Sequence, residues 1–226
     1  MTTERMERII GILSDSFFPI VKAGVAYTIP LTLITFTLGL ILAFLTALAR
    51  LSDFKLLVLI ARFYVWVFRG TPLLVQLFIL FYGFPSLGIT LDPFPTAIIG
   101  FTLNKGAYSS EIIRAAILSI PKGQREAAYS IGMTKWQAMR RIILPQAVRV
   151  AIPPLGNSFI SLTKDTSLAA TITVTEMFQK GQQIASVTYE PLWLYMEVAV
   201  VYLIFSTVLS YFQNRLERRY ERSVAT

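Results

Sequence analysis

The 27 residues from Ala23 to Ala49 contain no charged side chain, and Lys22 and Arg50 bracket them. About 20 apolar helical residues cross the hydrocarbon core of a bilayer, so this run predicts a membrane span. Composition supports a membrane setting for the whole chain. Mean hydropathy is +0.60 and only 15% of residues are charged, against roughly 25% in ordinary soluble domains. The sequence therefore predicts an all-α integral membrane protein. It has no Cys and no His, which excludes thiol chemistry, disulfides, Cys/His metal sites and histidine-based catalysis. The N-terminus mixes acids with bases and lacks a short apolar core before a small-residue cleavage site, so no signal peptide is expected.

Five spans are predicted, at about 23–49, 54–82, 95–119, 150–175 and 192–211, within one transmembrane domain over 23–212. Residues 1–22 form an amphipathic lead-in, with Ile9, Ile10, Leu13, Phe17 and Phe18 spaced for an interface. Residues 213–226 form a basic tail. Pro30 and Gly39 fall inside the first span, and Arg69-Gly70-Thr71-Pro72 places a helix-breaking pair inside the second. Arg69 there is read as a snorkelling side chain near the cytoplasmic face.

Basic residues assign the sides. The loop after span one and the first turns of span two hold Arg50, Lys55 and Arg62, and the loop after span three holds Lys122, Arg125, Lys135, Arg140, Arg141 and Arg149. The tail adds Arg215, Arg218, Arg219 and Arg222, while the other loops hold only Lys180. The positive-inside rule then places the N-terminus outside and the C-terminus in the cytoplasm. The formal charge of +8 reflects that loop bias, and no nucleic-acid partner is implied.

The longest polar run is Pro121–Pro145, PKGQREAAYSIGMTKWQAMRRIILP. Two prolines bound about two turns of helix, a glycine hinge and a second amphipathic helix. No Gly-Lys pair occurs in the chain, so no phosphate-cradling loop is present. Two spans carry polar faces. Asn104, Tyr108, Glu111 and Ala115 share one helical face, and Asn157, Ser161 and Asp165 share another. Lys164-Asp165-Thr166-Ser167-Leu168 interrupts the fourth span and predicts a helix break, with a new half-helix starting near Thr166.

The spacing Glu126-Ala127-Ala128, Gly132, then Ile142-x-Leu144-Pro145 resembles the coupling loop of importer permeases in the ATP-binding-cassette (ABC) family. Three more stretches resemble the polar amino-acid branch: Phe68–Pro72 with Gln76 and Phe78, Tyr108 with Glu111–Arg114, and Asn157–Ile160 with Lys164–Leu168. The run from Leu91 to Thr171 looks most like bacterial L-cystine permeases. The resemblance implies a multi-pass subunit in the bacterial cytoplasmic membrane that is not itself an enzyme. ATP and Mg would be bound by separate ABC ATPase subunits, with no cofactor on this chain. An extracytoplasmic solute-binding protein would deliver the amino acid, and two copies would form a homodimer in the lipid. The coupling residues would be Glu126, Ala127, Ala128, Gly132 and Pro145.

A zwitterionic substrate needs a carboxylate for its ammonium and donors for its carboxylate. Glu111 and Asp165 are the candidate ammonium partners, with Asn104, Asn157, Ser167 and Tyr108 as neutral contacts. The alternative is a buried structural network in which Lys164 and Asp165 neutralise each other or pair with Glu111 and Lys105. Cystine is the expected substrate, with arginine, glutamine and histidine as alternatives. A passive channel or secondary transporter is the alternative class, but no inverted repeat accompanies the intramembrane charges.

Overall fold

The computed structural model describes residues 3–222, with side chains to residue 215. Arg218, Arg219 and Arg222 of the expected basic tail therefore lie outside the described side chains. Every regular element among the described residues is helical. In order these are α1 (Thr3–Ala23), α2 (Ile29–Arg50), α3 (Lys55–Gly70), α4 (Leu73–Phe78), α5 (Pro93–Ser119), α6 (Lys122–Ser130), α7 (Lys135–Ala138), α8 (Leu144–Asp165), α9 (Met177–Thr188) and α10 (Pro191–Arg222).

Three prolines share one local solution. π-helical turns span Gly24–Thr28, Ile79–Gly83 and Met139–Ile143, and Pro30, Pro85 and Pro145 each follow two residues after the turn ends. A proline in a helix lacks the N–H for its i−4 carbonyl, and its ring clashes with that carbonyl. Widening the preceding turn moves the carbonyl aside. The residue before each proline then donates five residues back: Ile29 to Gly24, Phe84 to Ile79 and Leu144 to Met139.

The chain divides into two compact units. One comprises Met1–Phe36, Leu73–Phe101 and Ile160–Tyr211. Its core joins Leu31, Leu77, Ala97, Phe101, Leu162 and Ile172, and a second cluster joins Ile20, Met177, Val198 and Val201. The lead-in expected at 1–22 is helix α1, continuous with α2 through the first π turn. It is fastened from inside: Ile9 and Ile20 are buried, and Ser16 Oγ donates to Glu197 at 2.5 Å. Ile10 and Phe18 face outward. A Cβ on Gly24 would stand 2.7 Å from Met177 Sδ and 3.1 Å from the Phe205 ring, so this turn packs closely on α9 and a larger residue would displace the Met177 side chain. The polar connection expected at Glu176–Pro191 is mostly helix α9. Glu176, fully buried, caps it by accepting from Gln179 N–H at 2.8 Å and also accepts from Tyr202 Oη at 2.5 Å.

The other unit comprises Thr37–Pro72, Thr102–Phe159 and Phe212–Thr226. Its core joins Ala116, Ile117, Ile120, Ile143, Ala147 and Ala151. A Cβ on Gly106 would meet Tyr64 Oη at 2.7 Å and Leu42 at 2.8 Å, which marks close helix approach. Tyr64 Oη donates to the Leu103 carbonyl at 2.6 Å. α3 ends at Gly70, and Thr71 is extended, as the residue before a proline prefers. The predicted break at Thr71–Pro72 is thus present.

Candidate functional site

The polar run after α5 has defined stops and starts. Pro121 precedes the first residue of α6. At its other end Met133 N–H donates to Ala128 O at 3.1 Å and Gly132 N–H to Tyr129 O at 2.9 Å. This is a Schellman closure, and it requires the positive φ of +80° that Gly132 supplies. Two residues later Thr134 opens α7 with a capping box: Thr134 Oγ1 accepts from Gln137 N–H, and Gln137 Oε1 accepts from Thr134 N–H. The Thr134-x-x-Gln137 spacing was a legible signal that the sequence analysis passed over.

Ala128 is buried, whereas Glu126, Ala127, Gly132 and Pro145 are exposed. Beside them Tyr129, Ile131 and Trp136 expose large apolar surface on a polar segment, Ile131 at 74%. The segment is also tied to its neighbours. Arg125 donates to the Ile117 carbonyl at 3.3 Å, Gln146 donates to Gln124 Oε1 at 3.3 Å, and Lys135 Nζ meets Asp53 Oδ2 at 2.9 Å. Lys135 holds the Asp53 carboxyl below its usual value, and Asp53 raises the Lys135 ammonium in return.

In the same unit Glu111 gathers arginines from three helices. Arg50 of α2 donates to it at 2.5 Å, Arg114 of α5 donates through Nε at 3.1 Å and also through Nη2, and Arg69 of α3 stands at 3.8 Å. Three guanidinium groups around one carboxylate leave the cluster net cationic. Arg69 also lies over the Tyr108 ring, 5.3 Å from its centroid, and Tyr108 Oη donates to the Arg69 carbonyl at 3.5 Å. Asn104, almost fully buried, donates to the Phe68 carbonyl at 3.3 Å. The structure therefore brings Asn104, Tyr108 and Glu111 to the end of α3, and adds Arg50, Arg69 and Arg114 as partners that were not among the candidates. Asn157 is exposed and accepts from Gln213 Nε2 at 3.1 Å.

The other unit holds Asp165 and Ser167. The expected break is present: α8 ends at Asp165, and a 3₁₀ helix follows over Thr166–Ile172. Its form differs from the expectation of a capped half-helix, since the Asp165 side chain makes no cap hydrogen bond and Asp165 itself keeps helical angles. Ser167 Oγ donates back to the Lys164 carbonyl at 2.8 Å, a local bond that favours the tighter turn.

Apolar helices joined by a capped, exposed polar segment, with every regular element among the described residues helical, fit a subunit built into a membrane. The chain belongs to the family of binding-protein-dependent transport system inner membrane components, whose profile matches residues 35–222. It is 55% identical over 215 residues to the L-cystine transport system permease protein TcyB of Bacillus subtilis (strain 168), covering 95% of this chain and 92% of that one. The glutamine transport system permease protein GlnP of Escherichia coli (strain K12) shares 38% identity, over 89% of this chain and 93% of its own. A crystal structure of an amino acid ABC transporter with histidines superimposes with a TM-score of 0.82 at 32% identity, over 97% of this chain and 99% of that one. The inward-facing MetNI methionine ABC transporter shares the fold at a TM-score of 0.67 and 20% identity, over 97% and 99%. These findings bear out the resemblance to ABC amino-acid permeases drawn from the motifs.

Proposed function

We propose that this chain is the membrane permease of an ATP-driven importer of L-cystine, supplied by an extracytoplasmic binding protein. The observation that carries the substrate is the 55% identity with an L-cystine permease over nearly the whole chain. Five spans cross the membrane, with the N-terminus outside and the C-terminus in the cytoplasm. Thr3–Arg50 and Pro191–Arg215 are long and apolar enough to do so alone, and Lys55–Gly70 with Leu73–Leu87 are so only as a pair bent by 103° at the break, which we read as one broken span. α5 and α8, of 27 and 22 residues, are roughly 40 and 33 Å long at 1.5 Å per residue, which suffices for a core of about 30 Å. Polar side chains lower their hydropathy, and polar groups within a span belong where partners satisfy them.

α6 and the turn after it dock on a cytoplasmic ATPase, which binds ATP and Mg. The exposed Tyr129, Ile131 and Trp136 offer an apolar contact, with Glu126 as its polar anchor and Gly132 as the fixed turn. Two copies of the chain form the translocation unit. The net positive cluster of Arg50, Arg69 and Arg114 around Glu111 suits a substrate carboxylate better than an ammonium, with Asn104 and Tyr108 beside it. Asp165 serves an ammonium, and Asn157 and Ser167 make neutral contacts.

The test is ATPase activity of the reconstituted transporter with binding proteins loaded with cystine, arginine, glutamine or histidine. Stimulation by the cystine-loaded protein alone is expected. Stimulation by another loaded protein would reassign the substrate, and solute flux without any ATPase partner would replace the importer by a channel.

A further inference from the structure

The short connection from α2 to α3 opens a groove of about 410 Å³, lined by Ser52, Asp53, Lys55, Val58, Leu59 and Arg62. Lys55 and Arg62 are seven residues apart on α3, so they lie on one face about 10 Å apart along the axis. Both are exposed, and no acid lies within ion-pair distance of either among the described residues. The one acid in the groove, Asp53, is neutralised by Lys135 at 2.9 Å. The groove therefore carries two uncompensated cations. Its apolar wall continues into the outward face of α3, where Leu59, Phe63 and Trp66 are 64%, 62% and 72% exposed.

A cationic recess leading onto an exposed apolar helix face matches a molecule with an anionic head and apolar tails. We propose that this groove binds the headgroup of an anionic phospholipid, with Lys55 and Arg62 on its phosphate and the acyl chains along Leu59, Phe63 and Trp66. A free phosphate would use the two cations and leave that apolar face unmatched. A zwitterionic lipid brings an ammonium that the cations repel. The membrane setting is fixed by the family, so the assignment does not depend on which amino acid is transported. Asp53 bridges the same groove to the polar segment through Lys135, which puts the lipid beside the proposed docking element.

The experiment is lipid retention by the assembled transporter purified from vesicles of equal parts phosphatidylglycerol and phosphatidylcholine, read by native mass spectrometry. The wild type is expected to retain phosphatidylglycerol several-fold over phosphatidylcholine. The Lys55→Gln/Arg62→Gln double variant is expected to lose that preference, and the Lys55→Arg/Arg62→Lys variant to keep it. Equal retention of the two lipids by the wild type, or an undiminished preference in the Gln variant, would overturn the proposal. Displacement of the retained lipid by millimolar inorganic phosphate would also overturn it, since the site would then take free phosphate. Substrate-stimulated ATPase activity, measured on the same samples, separates this result from the fate of the cystine assignment.

Discussion

Arg50 Nη1 donates to Glu111 Oε2 across 2.5 Å, tying the last residue of α2 to α5. Arg114 and Arg69 share the same carboxylate. Removing its charge leaves three guanidinium groups facing one another. Glu111→Gln is therefore expected to lower stability by about 2 kcal/mol, the scale of a lost charged hydrogen bond in a half-buried site. A thermal melt of the solubilised protein checks this, and an unshifted midpoint would contradict it.

Gly132 holds φ at +80° with open space around it, so backbone strain alone decides the outcome of substitution. Gly132→Ala should cost about 1 kcal/mol in the turn. Gly132→Pro cannot adopt that φ and also loses the donor to Tyr129. We expect Gly132→Pro to stay inserted in the membrane while ATP hydrolysis no longer drives uptake, and Glu126→Lys to do the same. Wild-type transport per ATP in both variants would remove the docking role.

The Asp53–Lys135 bridge should respond to pH at both ends. Asp53 has a lowered folded pKa, so its contribution is present above the unfolded value of about 3.9 and is lost as pH falls through the folded value. Lys135 has a raised folded pKa, so its contribution is present below about 10.4 and is lost as pH rises through the folded value. Between those limits the bridge should be insensitive to pH yet weakened by salt, because both groups are exposed. Fluorescence of the neighbouring Trp136 across acid and salt titrations, compared with Asp53→Asn, reads this directly.

Asp165→Asn should raise the concentration of loaded binding protein needed for half-maximal uptake if Asp165 holds a substrate ammonium. Loss of folded yield with unchanged half-saturation would assign it a structural role instead.

The sequence read well where local chemistry decided the outcome. An uncharged run marked α2, an apolar run with the single acid Glu197 marked α10, Thr71–Pro72 marked the end of α3, and Gly132 marked the turn after α6. Partnerships distant in sequence were not legible. Glu111 meets Arg50 from 61 residues away, and its own helix offers only Lys105 and Arg114 as basic residues, neither of which points to arginines from α2 and α3. The helix α9 was missed for a related reason. Its composition is polar, and its start is fixed by Glu176, which Tyr202 holds from 26 residues away. At Asp165 the break was legible, but its 3₁₀ form was not, because the Ser167 hydroxyl turned back on Lys164 rather than Asp165 capping forward.

The three proline-linked π turns also act as insertions. Each carries one residue more than an α turn needs, so the side chains beyond it are advanced by about 100° around the axis. Counting faces straight through Pro30 or Pro145 therefore misassigns which residues share a side. Deleting one residue within Met139–Ile143 while replacing Pro145 with Ala should convert that turn to regular α-helix and leave the faces on both sides in register. The same deletion in the middle of α5 would rotate everything after it. At Pro30, Pro85 and Pro145, unlike Pro19, Pro153 and Pro154, which lie within α-helix, the chain thus marks where its helices tolerate a change of length.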